Sequence, residues 1–166
     1  ASAAGVPVVM HSATGLPPKK GITSGEVLES LGISAHLESN QVQKSIELHG
    51  FGHLHSTKFS FGIEKLRPVR EILFYRSFLH SCEVLMNPAG ARRSLVGAAH
   101  ESFVDRFTDA QALMGVEHVI TVRGLDGADE FPMEEVLMVE YKNGKKSQTL
   151  LSPAQFSLPE DTAIVC

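Results

Sequence analysis

Apolar positions along the chain fall into short runs and helical stripes separated by glycine- and proline-rich turns. Pro7-Val8-Val9-Met10 is a short apolar run that predicts a buried strand. It opens into a loop over 11–21 that is rich in Gly, Pro, Ser and Lys. Thr23-Ser24-Gly25-Glu26 has the spacing of a capping box, with the acid three residues after the threonine. The helix it starts is expected to carry Val27, Leu28 and Leu31 on one face and to stop at Gly32. Ser39 is expected to cap a second helix, with Val42 and Ile46 on a shared face and an end near Gly50. Residues 51–57 alternate apolar residues with histidines and predict a strand. Residues 59–74 have helical periodicity interrupted at Pro68, so they form two helices or one that starts near the proline.

Residues 77–86 are mostly apolar and stop at the turn Asn87-Pro88-Ala89-Gly90. Residues 94–98 and 118–122 read as buried strands. Between them, 102–114 is the clearest helix, with Phe103, Phe107, Ala110 and Met114 at helical spacing and Gly115 at the stop. Residues 136–141 and 145–151 flank Asn143-Gly144, the strongest short hairpin signal. Strands alternating with helices and closed by a hairpin predict an α/β fold, a mainly parallel sheet with an antiparallel margin. Ligands in such sheets gather at loops beyond the carboxyl ends of strands. That points to the loops 11–21 and 124–130, and residues 1–166 are expected to form a single α/β domain.

Composition narrows the class. The 166 residues are 43% hydrophobic and 20% charged, the balance of an ordinary globular protein. Two cysteines, Cys82 and Cys166, exclude a disulfide framework and favour a reducing compartment. No apolar run approaches the roughly 18 residues of a membrane span. The start has no basic region of a signal peptide. The expected location is therefore the cytoplasm or an organelle stroma or matrix, without secretion. Residues 1–100 hold ten Lys/Arg and seven Asp/Glu, and residues 101–166 hold five and twelve, so the parts carry +3 and −7. Such a bipolar chain is not a strong non-specific nucleic-acid binder, although a basic face in its first part could meet phosphates.

Some residues suggest chemistry on their own. Asp129 and Glu130, adjacent carboxylates in a glycine-spaced loop, could hold Mg²⁺, which prefers oxygen ligands, or could form a solvated acidic turn. Arg70 could grip a carboxylate or phosphate with its planar fork, or pair at the surface with Glu64 or Glu71. Lys19 and Lys20, with Thr23 and Ser24 at a helix start, could form an anion site or a charged loop. His53 and His55 share a strand face, but neither they nor His49 have a partner at zinc-site spacing, so a structural role is expected. Cys82 lies in an apolar stretch and is expected in the core. Arg92 and Arg93 follow the turn at 87–90 and are expected to face solvent.

Five segments in order resemble one family. They are 24–32 (SGEVLESLG), 65–70 (KLRPVR), 85–91 (LMNPAGA), Leu95-Val96-Gly97 with His100, and 123–130 (RGLDGADE). They are similar to the SADVLEALG, KHVAPVR, LLNPAGA, LIGV and HGEDGLDE segments of the anthranilate phosphoribosyltransferase family, at nearly its spacing, from about Pro7 to Leu158. The resemblance implies a phosphoribosyltransferase-like α/β fold and transfer of a phosphoribosyl group from a pyrophosphate-bearing donor to a small nitrogenous acceptor, with Mg²⁺. It places the metal at Asp129 and Glu130, the acceptor at Arg70 and the donor near His11; Ser24 is a further substrate-binding candidate, and Lys19 and Lys20, from the anion-site reading, are the candidates for phosphate. A homodimer or larger assembly is compatible with it.

The departures are specific. The family's KHGNR loop reads Met10-His11-Ser12-Ala13-Thr14 here, and its serine pair falls on Lys19-Lys20. A pocket histidine falls on Ser60, and the proline of a GPL segment on Val84. The family's glycine-rich pyrophosphate loop and N-terminal helical region would lie before Ala1. The chain is therefore expected to be the central part of a longer member and inactive alone. The loop with its single histidine resembles a divergent branch associated with nucleic-acid binding. The alternative function is thus a non-catalytic nucleic-acid-binding or assembly module of the same fold.

Overall fold

Alternating β-favouring and helical stretches fold into two compact units, Ala1–Ala89 and Gly90–Cys166. The structure, a computed structural model, describes residues 1–13, 15, 23–75, 77–129 and 134–156. Lys19, Lys20, Glu130 and Cys166 lie outside the described residues.

In the first unit, β1 (Val8–Ser12) pairs in parallel with β2 (Phe51–His55), bringing Met10 opposite His53 and Ser12 opposite His55. Parallel neighbours need a crossover, and two helices supply it: α1 (Ser24–Ser30) and α2 (Ser39–His49). The capping box at α1 forms as expected. The Thr23 hydroxyl accepts from the Glu26 N–H, and the Glu26 carboxylate accepts from the Thr23 N–H at 2.7 Å. The expected apolar face of α1 does not: Leu28 is buried, while Val27 and Leu31 are exposed. At α2 the cap residue is Glu38 rather than Ser39, and Gln41 accepts from the Glu38 N–H at 2.9 Å. Val42 and Ile46 of α2 lie against β2 at Gly52, where an added Cβ would come within 2.7 Å of Val42 and 2.8 Å of Ile46. Glycine there lets helix and strand approach closely.

Pro68 divides 59–74 into two helices, α3 (Phe61–Glu64) and α4 (Arg67–Leu73), with the proline in the first turn of α4. Residues 77–86 form a helix, α5 (Phe78–Leu85). Cys82 is on its exposed face, not in the core, because α5 buries only part of its circumference.

The second unit is a four-stranded sheet in sequential order: β3 (Arg93–Ala98), β4 (His118–Arg123), β5 (Val136–Lys142) and β6 (Lys145–Leu151). β3 and β4 are parallel, and β4, β5 and β6 are antiparallel. The α/β class and the parallel pairing are those expected, but the strands fall into two sheets. Asn143 and Gly144 adopt φ of 53° and 74°, so both turn residues are left-handed, as the tight hairpin requires. The helix α6 (Glu101–Leu113) crosses over between β3 and β4 and covers β3, β4 and β5. Its buried residues are Val104, Phe107, Thr108 and Gln111, whereas Met114 is exposed. The contact face is rotated from the expected one and includes a polar pair. The Thr108 hydroxyl donates to the Val104 carbonyl and meets the Thr121 hydroxyl of β4 at 2.8 Å. Among the described residues no helix is long and apolar enough to cross a membrane.

Candidate functional site

The carboxyl end of β1 carries His11 and Ser12 into the first unit's polar interior. Ser12 Oγ lies 2.9 Å from His53 Nε2, and His53 Nδ1 lies 3.0 Å from the Ala35 carbonyl. A carbonyl only accepts, so Nδ1 carries the proton, and the Ser12 hydroxyl donates to Nε2. The Gly25 N–H in turn donates to Ser12 Oγ at 3.2 Å. The network joins β1, β2 and the start of α1 and holds His53 neutral; burial lowers its pKa from 6.5. His55 meets Thr57 Oγ1 at 2.8 Å through Nδ1, and its ring lies 4.3 Å from that of His36. Its pKa is also lowered, first by burial and then by His36.

His11 faces the other way from this network. Its ring meets Phe59 edge-on at 5.5 Å, and it hydrogen-bonds the backbone of Met86, the residue before Asn87-Pro88. Burial lowers its pKa, while the Met86 bond and the Glu83 carboxylate act in the opposite direction. The fold thus brings His11 together with 83–87, two segments that carry the family resemblance about 70 residues apart in sequence.

Arg70 is 4% exposed, and neither suggested surface partner holds it. Its Nη1 and Nη2 donate to the two carboxylate oxygens of Glu83 on α5, at 2.9 and 2.7 Å. Glu64 is engaged by Arg67, whose Nε donates to it at 2.8 Å, and by the Ser56 hydroxyl. Among the described residues, Arg70 Nε and the buried Ser60 hydroxyl have no hydrogen-bond partner. Sequence reasoning missed Glu83, although a lone carboxylate within the apolar run 77–86 is a signal of a buried partner.

Ser24 is exposed at the first position of α1, and the described residues place no other candidate group on it. In the second unit, the chain leaves β4 at Arg123, makes a short turn over Leu125–Gly127, and reaches the exposed Asp129. This loop is seated on β3: a Cβ on Gly97 would fall 2.1 Å from the Ala128 carbonyl oxygen. Among the described residues no three His, Cys, Asp or Glu side chains cluster to hold a metal. Asp129 is an oxygen donor of the kind Mg²⁺ takes, in a loop held by backbone packing, and it fits an ion that draws further ligands from a phosphate.

Residues 1–164 match the glycosyl transferase family, a/b domain. The chain belongs to this family. An anthranilate phosphoribosyltransferase of Methanosarcina mazei is 35% identical over 166 residues, covering 97% of this chain and 44% of the relative. The crystal structure of anthranilate phosphoribosyltransferase from Thermus thermophilus superposes with a TM-score of 0.79 at 28% identity, covering 97% of this chain and 47% of that one. The fold is also that of the Saccharomyces cerevisiae anthranilate phosphoribosyltransferase in complex with PRPP and Mg, with a TM-score of 0.76 at 20% identity, covering 97% of this chain and 45% of that one. The chain spans about half the length of these family relatives.

Proposed function

We propose that this family member is the α/β part of a phosphoribosyltransferase. In this reading a nitrogen nucleophile attacks the anomeric carbon of a phosphoribosyl donor, and the bond to pyrophosphate breaks with its electron pair leaving on oxygen. The observation that carries the reading is the continuous family match over residues 1–164. His11 lies on the donor side, and Arg70 stands on the acceptor side. Lys19, Lys20 and Ser24 meet donor phosphates as point charges and a hydroxyl. Asp129 and Glu130 hold Mg²⁺, which when bound neutralises charge on the pyrophosphate leaving group. The yeast relative in complex with PRPP and Mg supports this donor and ion.

The nucleic-acid-binding alternative finds less support. Of the cations suited to a phosphate face, Arg67 is paired with Glu64 and Arg92 with Glu117. Titrating Mn²⁺ with and without pyrophosphate tests the proposed function. We expect weak binding that tightens when pyrophosphate is present, because one or two carboxylates leave the ion's shell incomplete. Asp129→Asn/Glu130→Gln should lose that response. Equal binding by the unsubstituted and doubly substituted chains would remove the metal from this loop.

A further inference from the structure

We infer that Glu83 is a specificity-determining residue: by filling the Arg70 fork it commits the acceptor side to a nitrogenous acceptor without a carboxylate. The inference rests on the phosphoribosyltransferase reading and deepens it. Three observations carry it. Glu83 takes both terminal nitrogens of Arg70 in a bidentate pair, the strongest geometry a guanidinium offers a carboxylate. Arg70 is 4% exposed, so little water competes for that pair. Nε is buried and, among the described residues, has no hydrogen-bond partner, so Glu83 alone occupies the face formed by the two terminal nitrogens.

An incoming carboxylate would meet an Arg–Glu pair with no net charge. It would be repelled by the Glu83 oxygens and would find the bidentate face of the two terminal nitrogens already taken. A neutral acceptor brings no charge for the Glu83 oxygens to repel. Arg70 on α4 and Glu83 on α5 thus form one preset unit, and the choice of acceptor is made by the protein's own carboxylate.

The test uses two probes of nearly equal shape, anthranilate and its neutral amide, 2-aminobenzamide, with binding measured by calorimetry in the presence of PRPP and Mg²⁺. The unsubstituted chain should prefer the amide. Glu83→Ala should shift the preference toward anthranilate by about tenfold or more, the scale of one freed charge-assisted contact. Glu83→Gln keeps the side-chain volume if the alanine variant does not fold, and it should shift the preference the same way. The inference is overturned if the unsubstituted chain binds anthranilate at least as tightly as the amide, if neither variant changes the ratio, or if no protein binds either probe. Binding of PRPP with Mg²⁺ by the unsubstituted chain separates these failures. If it persists, only the acceptor assignment falls; if it is absent, the phosphoribosyltransferase reading falls as well.

Discussion

His53 and His55 sit in a polar interior that favours their neutral form. Desolvation is the first cause of the lowered pKa in each, with His36 adding repulsion. The weaker opposing influences are Glu29 and the Ala35 carbonyl at His53, and Glu64 at His55, where Arg67 adds to the lowering. The unfolded chain takes up protons as pH falls through the ordinary value of 6.5, while the folded chain resists until its lower values are reached. More protons are then bound in the unfolded state, so stability rises with pH across that window. His11 contributes in the same direction. The melting temperature is therefore expected to be level above neutrality and to fall as pH drops below about 6.5. In His53→Gln the slope should be shallower. A parallel slope in the variant would show that another group carries the dependence.

Among the elements, two glycines set how closely the chain can pack. Gly52 lets α2 rest on β2, and Gly97 lets the loop after β4 rest on β3. Gly52→Ala is expected to destabilise the fold by about 1–3 kcal/mol, the usual penalty of overpacking a close contact. Its neighbours are the β-branched side chains of Val42 and Ile46. Gly97→Ala meets a backbone carbonyl instead, so the loop itself must move. That variant should also lose the pyrophosphate-dependent Mn²⁺ response, whereas Gly52→Ala should keep it. Denaturant titration and the Mn²⁺ measurement on both variants distinguish packing loss from displacement of the loop. Full retention of the response in Gly97→Ala would separate β3 from the metal loop.

At the level of the whole molecule, charge limits what the protein can bind. The chain carries a formal −4, and Arg67, Arg70 and Arg92 each already hold a carboxylate. Nucleic-acid affinity, which scales with cations free to displace counterions, is thus expected to be weak and to fall steeply with salt. Fluorescence anisotropy of single- and double-stranded oligonucleotides at two salt concentrations reads this. Lys19→Ala/Lys20→Ala should abolish binding at the lower concentration. Tight binding that persists at roughly 150 mM salt would contradict the charge argument and restore the alternative reading.

Local chemistry was legible in the sequence wherever a few adjacent residues decide the outcome. The Thr23–Glu26 capping box, the Asn143-Gly144 hairpin, the break at Pro68 and the strand–helix–strand over 94–122 each rest on contacts between near neighbours. The order of matched segments likewise identified the family, because order survives where individual residues change. Tertiary structure decided what depends on partners distant in sequence or on which face turns inward. Packing on the sheet buried Thr108 of α6 against Thr121 and left Met114 exposed, and partial burial of α5 left Cys82 in solvent. Ser12 and His53, 41 residues apart, met across a parallel strand pair. Arg70 found Glu83 on a neighbouring helix: a buried guanidinium needs a carboxylate, but only packing selects which one reaches it.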